Sequence, residues 1–360
     1  MLNYFRKMDW IMIGAACFLT VFGLLSIYSS SSRGNDFLNF KKQIAFFIVG
    51  FSLMLIFAYI DWREIRDNPY LILIFYIICV VALAGLIILG HKIRGVSGWY
   101  KIGFITIDPI EYTKISLMLL LAKYFSNRHI EMYRLKHILL SGIYVAIPSS
   151  LIILQPNLGS ALTLIVLWFG ILVISKIKLR HLIALIACAL IISALGWFFV
   201  LHPYQKQRIV SFILPQLEPL GAGWNQNQSK IAIGSGGLLG LGFNNGSQNR
   251  YGFLPEPQTD FIYSAISEEY GFIGVSVLFA LYLLIIWRLS KIAFSFQSNF
   301  PRLFVSGFII ILFTQFFINI GMNLGLLPVI GISLPFVSYG GSGLISFFIS
   351  LGIIQSIKVQ

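Results

Sequence analysis

The run WIMIGAACFLTVFGLLSIY, residues 10–28, carries no charged side chain. At about 1.5 Å of rise per residue, an apolar helix of this length crosses the roughly 30 Å hydrocarbon layer of a bilayer. Arg6 and Lys7 stand just before it, as in an export signal, yet no small-residue cleavage site follows a short core. The expectation is a retained first transmembrane helix.

Outward from that run the pattern repeats. Further apolar stretches lie near 40–60, 69–90, 109–126, 138–155, 158–175, 181–200, 262–287, 302–324 and 338–357. Gln155, Pro156, Asn157, Leu158 and Gly159 divide the fifth from the sixth. That division is either a tight turn or a proline kink in one long helix, and the turn is the reading adopted. The fold expected is an all-α polytopic membrane protein, a single integral-membrane domain over residues 1–360 with about ten transmembrane helices. Composition agrees: 58% of residues are hydrophobic and 11% charged, against roughly 25% charged in a soluble domain. Cys17, Cys79 and Cys188 all fall inside apolar runs and read as small buried hydrophobes, without disulfide or metal spacing.

The net charge is +13. In a soluble chain that would suggest nucleic acid; here the bases sit in loops beside apolar runs, so topology explains them. They crowd alternate segments, at Arg6 and Lys7, Arg63 and Arg66, Arg128, Arg134 and Lys136, Lys176, Lys178 and Arg180, and Arg288, Lys291 and Arg302. The short segments between hold fewer: Arg33, Lys41, Lys42, Lys92, Arg94 and Lys101. The positive-inside rule then puts both termini in the cytoplasm. It puts 91–108, 325–337 and a large extracytoplasmic loop at 201–260, between helices 7 and 8, outside.

Polar groups within a membrane are costly and mark function by default. The first cluster runs from Gly95 through Gly98, Trp99 and Lys101 to Asp108, Pro109, Glu111 and Lys114. Asp108 suits an N-cap, Pro109 the first helical position, and Glu111 the closing member of a capping box. A cap does not need Lys114 one turn deeper; a cavity for an anionic ligand does. The second cluster is the loop from His202, with Tyr204, Lys206, Arg208, Gln226, Gln228, Ser229 and Lys230, leading into a glycine-rich run at 234–242. That run matches neither a dinucleotide fingerprint nor a Walker loop. Its glycines read as a partly embedded flexible loop, whereas Arg208 reads as a phosphate contact. The third begins at Leu254, Pro255 and Glu256 and reaches Asp260, expected to open a helix that also carries Glu268 and Glu269. At 100° per residue the two glutamates cannot both share Asp260's face, so at least one packs structurally. A fourth stretch, 328–342, is apolar but broken by Pro328, Pro335 and several glycines. Such backbone persists near membrane depth only where it walls protein or a wet cavity. The histidines are scattered, no Asp-x-Asp occurs, and no nucleotide loop is present. These absences argue against a zinc site, a nucleotide-sugar metal site and an ATP-driven pump.

At these residues the chain resembles the SEDS family of peptidoglycan polymerases (shape, elongation, division and sporulation), over nearly its whole length. The motifs are Trp99 after a glycine-rich loop, Pro109 with Glu111 and Lys114, Gln155-Pro156, Tyr204 to Arg208, and Gln228-Ser229. They continue with Leu254-Pro255-Glu256 before Thr259-Asp260-Phe261-Ile262, Glu268-Glu269 before Gly271, and Pro335 through Gly341. The run Ile233 to Gly237 with Gly246-Ser247-Gln248 is nearer the elongation branch than the division branch. Asp108-Pro109-Ile110-Glu111 stands where the family usually has Gln-Pro-Ser-Glu, Asn157 where Asp is usual, Gln258 where His is usual, and Gly98 where Arg is common.

The resemblance implies a peptidoglycan glycosyltransferase in the bacterial inner membrane. Such an enzyme joins lipid II into glycan strands on the outer face during cell elongation and releases undecaprenyl pyrophosphate. A sugar hydroxyl must lose a proton as it attacks an anomeric carbon, and Asp260 is the candidate base. Substrate contacts are assigned to Lys114, Glu111, Arg208, Trp99, Gln228, Ser229 and Lys206, with Lys114 and Arg208 facing the pyrophosphate charge. A divalent cation, Mg2+ or Mn2+, is the one cofactor this chemistry leaves room for. An α-linked donor and a β-linked product imply inversion, with one base and no covalent intermediate. The implied partners are a class B penicillin-binding protein, which is a transpeptidase, and other membrane proteins of the elongation complex. A lipid II flippase and a scaffold for a partner synthase are the alternatives. A flippase site is expected near the midplane between repeats, and no internal repeat is evident.

Overall fold

In hydrocarbon the backbone has no water to bond, so an apolar run is stable there only as a helix that pairs its own amides. The computed structural model describes residues 6–32, 34–93, 96–103, 105–126, 135–199, 201, 203–214 and 221–359. A helix occupies every expected span. These are α1 (Trp10–Ser32), α2 (Leu38–Tyr59), α4 (Pro69–Leu89), α5 (Pro109–Ser126), α6 (Leu135–Leu154), α7 (Leu158–Ile174), α8 (Leu179–Phe199), α12 (Ile262–Ser295), α13 (Asn299–Leu324) and α14 (Gly341–Val359). Eight are long and apolar enough to cross a membrane. The others are α7, at 17 residues, and α5, which carries Glu111, Lys114 and Lys123. Between α6 and α7 the chain turns, with Asn157 Oδ1 accepting from the Ser160 N–H at 3.1 Å as the cap of α7. Arg33, Arg94, Gly95, Arg128, Arg134 and His202 lie outside the described residues.

The core sits where α5, α12, α13 and α14 meet. Leu117, Leu121, Phe304, Phe308, Tyr282 and Phe348 are almost wholly enclosed there. Away from it the apolar rule inverts, as it should in lipid: Ile74, Ile78, Val81 and Ile88 of α4 are exposed. Helix α8 buries none of its residues.

Two regions depart from the sequence expectation. Residues 91–107 form a small antiparallel sheet, with β1 (His91–Ile93), β2 (Val96–Ile102) and β3 (Ile105–Ile107) in the order β1-β2-β3. The segment is rich in β-branched and aromatic residues, which favour a pleat, and Gly103 turns the chain at φ 60°. Tyr100 anchors the sheet by donating its hydroxyl to the Ala82 carbonyl of α4 at 2.7 Å. The 201–260 segment is not a flexible loop in its described part. It folds into α9 (Pro203–Ile213), α10 (Ala222–Ser235) and the short α11 (Ser247–Arg250). A six-residue helix, α3 (Trp62–Asp67), lies between α2 and α4.

The glycine-rich run docks into a break in α12. At Gly271 the backbone leaves helical geometry, with φ 62° and ψ −161°. The carbonyls of Glu268 and Glu269 accept instead from Leu241 N at 2.9 Å and Gly242 N at 3.0 Å. The freed amides of Phe272 and Ile273 donate to Gly237 O and Leu238 O at 2.9 and 3.1 Å. A Cβ on Gly240 would stand 2.1 Å from Glu269 O, so only glycine permits this approach.

Candidate active site

Helix α5 begins where the sequence places it. Asp108 Oδ1 accepts from Ile110 N at 2.9 Å, which caps the first turn. The capping box does not close. The Asp108 N–H donates to Ser342 Oγ at 2.9 Å, and Glu111 turns away to Lys114 and Ser346. Lys114 Nζ lies 2.5 Å from Glu111 Oε1, and Ser346 Oγ donates to Glu111 Oε2 at 3.3 Å. The reason is the depth of Lys114, whose side chain is 5% exposed and needs a counter-charge, which Glu111 supplies at contact distance. Asp108 is pushed up to about 7, first by loss of water around its carboxyl and then by the neighbouring Glu111 charge.

Asp260 sits two residues before α12 rather than opening it. Its turn is held from several directions. Asn319 and Asn323 Nδ2 donate to its carbonyl at 3.1 and 2.9 Å. Ser338 Oγ donates to the adjoining Thr259 O at 2.7 Å, and Tyr339 N donates to Gln258 O at 2.8 Å. The Gln258 side chain is bonded to Asn39 and Ser31, tying the turn to α2 and α1. The irregular stretch at 325–340 lies opposite, with Gly331 at φ 73° and Phe336 at φ 63°. Such a conformation costs a phenylalanine roughly 1–3 kcal/mol. Packing holds it here, the Phe336 ring lying 5.2 Å from Phe347 and 5.5 Å from Phe348.

Arg208, on α9, reaches the same stretch. Its Nη1 donates to Val329 O at 3.3 Å, and its guanidinium lies 5.8 Å from the centre of the Tyr204 ring. Tyr204 OH in turn donates to Pro156 O at 3.1 Å, tying α9 to the α6–α7 turn.

These elements enclose a cavity of about 540 Å³. Asp260, Lys114, Glu111, Arg208 and Trp99 all line it, with Asp108, Asn157 and Glu256. Residues more than 150 positions apart in sequence thus line one cavity together with the broken stretch from Ile330 to Leu344. Gln228, Ser229 and Lys206 do not line it. Gln228 and Lys206 are half-buried on α10 and α9. Ser229 is fully enclosed, bonded to Ser264 Oγ at 2.6 Å and donating to Asn323 O at 2.7 Å. Its neighbours are protein groups of α12 and α13, so it contributes to the Asp260 support instead.

Glu268 and Glu269 are both buried and both structural in their contacts. Glu268 accepts from Gln248 N at 2.7 Å and Asn249 N at 3.2 Å, capping α11. Glu269 accepts from Ser29 Oγ and, at 3.3 Å, from Asn249 Nδ2. The sequence expectation that at least one of the two packs structurally holds for both. Among the described residues no three His, Cys, Asp or Glu side chains gather as metal ligands.

Asn319, Asn323, Ser338 and Ser342 were not singled out in the sequence. The available signal was a pair of amides four residues apart in the apolar α13, which share a face.

Over residues 7–360 the chain matches the FtsW/RodA/SpoVE family of cell cycle proteins. The peptidoglycan glycosyltransferase MrdB of Escherichia coli K12 is 38% identical over 344 residues, which cover 95% of this chain and 91% of MrdB. A chain from a peptidoglycan synthase complex, solved for its coordination of polymerization and crosslinking, is similar with a TM-score of 0.83 at 29% identity, covering 98% of this chain and 97% of that one. The rod shape determining protein RodA of Thermus thermophilus gives a TM-score of 0.72 at 27% identity, covering 98% and 96%.

Proposed function

The chain belongs to the FtsW/RodA/SpoVE family of cell cycle proteins, the SEDS family its motifs resemble, and from that premise we propose that it is a peptidoglycan glycosyltransferase of the elongation type. It is a multi-pass membrane protein. It joins lipid II into glycan strands at the outer face of the bacterial inner membrane, with both termini in the cytoplasm.

The observation that carries the reading is the convergence of one carboxylate and two cations on a single cavity: Asp260, Lys114 and Arg208. Asp260 takes the proton from the attacking C4 hydroxyl. The new glycosidic bond forms as the bond from anomeric carbon to pyrophosphate breaks, and the electron pair leaves with the pyrophosphate. Lys114 and Arg208 receive that charge as fixed cations already in place. Glu111 holds Lys114 in place between turnovers. Trp99 offers an aromatic face to the sugar at the cavity mouth. One base and a charged leaving group support inversion without a covalent intermediate.

A class B penicillin-binding protein is the proposed partner, supported by the likeness to a chain of a synthase complex that couples polymerization to crosslinking. The test of the activity is to incubate detergent-purified protein with lipid II, alone and with that partner, and to follow strand length on a gel. Strands are expected in detergent, where there is no bilayer to cross. No polymer from either preparation, with protein-dependent movement of lipid II across liposomes, would make the chain a flippase.

A further inference from the structure

Three amide side chains, Gln315, Asn319 and Asn323, recur every fourth residue along one face of α13, and none is more than 2% exposed. Buried amides in a membrane helix are costly unless their hydrogens are used. Asn319 uses both. One N–H goes to Asp260 O at 3.1 Å, the other to Ile332 O at 2.7 Å. Asn323 likewise donates to Asp260 O at 2.9 Å and to Asn319 O at 2.7 Å. Its own Oδ1 accepts from Ser264 Oγ at 2.6 Å, which draws in the first turn of α12 and Ser229.

The two carbonyls bridged by Asn319 belong to different walls of the cavity. Asp260 lies on the turn before α12, and Ile332 follows Gly331 in the broken stretch opposite. Gly331 faces the carboxylate, for a Cβ placed there would stand 3.6 Å from Asp260 Oδ2. One side-chain amide thus links the Asp260 carbonyl directly to the wall that its carboxylate looks onto. Ser338 and Tyr339 of the same stretch bond the Thr259 and Gln258 carbonyls, so the turn as a whole is docked there, and Asn319 fixes Asp260 itself within it.

We propose that Asn319 is a positioning residue for the reaction: it holds the Asp260 turn against the Gly331–Ile332 wall and so directs the carboxylate at the substrate hydroxyl. This rests on the reading of Asp260 as the base. Asn319 itself touches neither substrate nor reacting atoms. Its effect is on the orientation of a group that does, and small misplacements of such groups are expensive in rate.

The test compares Asn319→Ala and Asn319→Ser with the unaltered protein, purified in detergent and supplied with lipid II. Melting temperature, kcat, KM and the pH dependence of kcat are measured for each. The expected result is a fall in kcat of about 10- to 100-fold with KM within about two-fold. The acid limb of kcat moves as well, because the base has changed surroundings. A merely structural role predicts otherwise: kcat falls only with the fraction unfolded, and the limb stays in place. That outcome, or a folded variant with kcat within about two-fold of the unaltered protein, overturns the proposal. If neither variant folds, Asn319→Gln carries the test, since it keeps both N–H donors but lengthens the bridge by one methylene; a moved limb supports the proposal and an unmoved limb overturns it. Asp260→Asn is assayed in parallel. If it stays active, the base assignment has failed whatever Asn319 does. If it is inactive while the Asn319 variants are unchanged, only the positioning role has failed.

Discussion

At the scale of single residues, the cavity is a problem in charge. Lys114 is buried with Glu111 as its close partner, and Arg208 is held by a carbonyl and an aromatic ring. Both line the space where a pyrophosphate would sit. Lys114→Ala and Arg208→Ala should each lower turnover on lipid II by about 10²- to 10³-fold, the usual cost of losing one fixed charge-stabilising group. Asn157→Ala removes a helix cap, so it should cost about 0.5–2 kcal/mol of stability and much less activity. Initial rates and melting curves on the same preparations separate the two. Asp108 gives the site a pH dependence. Its carboxyl is raised to about 7 by burial and by Glu111, so the neutral form prevails below that value and the charged form above it. As pH rises through it, a second negative charge appears beside Glu111 and opposes Lys114. KM for lipid II should therefore rise on the alkaline side, and Asp108→Asn should remove that rise. A KM profile taken across neutrality for both proteins checks this.

At the scale of elements, the break in α12 is the feature that organises the outer side. Four crossed backbone bonds splice the glycine-rich run into the helix at Gly271. Gly240→Val places a branched side chain at φ 81° against Glu269 O. It should destabilise the protein by about 2–4 kcal/mol through the left-handed backbone and the clash together, read as a lower melting temperature in detergent. The helical spans were legible because apolar length alone decides them. The sheet at 91–107 was not, although its β-branched and aromatic residues favour a pleat, because its strands are short and broken by Gly and Lys. Nor were α9 and α10, whose mixed polar sequence looked like a loop until Tyr204 and Ser229 found partners on other elements. Asp260, Lys114, Glu111 and Arg208 were legible as charged residues out of place near a membrane, whereas Trp99 came from the family resemblance. Asn319 and Asn323 stayed hidden because their partners are backbone carbonyls far away in sequence, which no local pattern encodes.

At the scale of the whole molecule, the start of the chain is stapled to α12 and to the last helix by residues that do not line the cavity. Asp9 is 2% exposed, with Arg288 at 2.8 Å and Lys358 at 3.1 Å, and its N–H donates to Gln355 Oε1 at 2.8 Å. Burial pushes its carboxyl up, but hydrogen bonds from Arg288 and Lys358 outweigh that and bring it below the usual carboxylate value. The staple therefore stabilises above the ordinary carboxylate range and is lost as pH falls through the lowered value. Asp9→Asn should cost about 1–3 kcal/mol at neutral pH, less than a fully buried pair because both cations keep some contact with solvent. A melting curve at neutral pH checks the loss, and glycan synthesis per folded molecule should be unaffected. The staple closes the bundle at one place, while Asp260 is held at another by Asn319, Asn323 and Ser338. The central claim is that this one carboxylate removes the proton in glycan synthesis. Its most direct test is the strand yield from lipid II of purified Asp260→Asn against the unaltered protein, at matched melting temperature and with the partner synthase present. The account predicts strands from the unaltered protein and a loss of at least about 10²-fold in rate for the variant. Near-equal strand yields from the two proteins would contradict it.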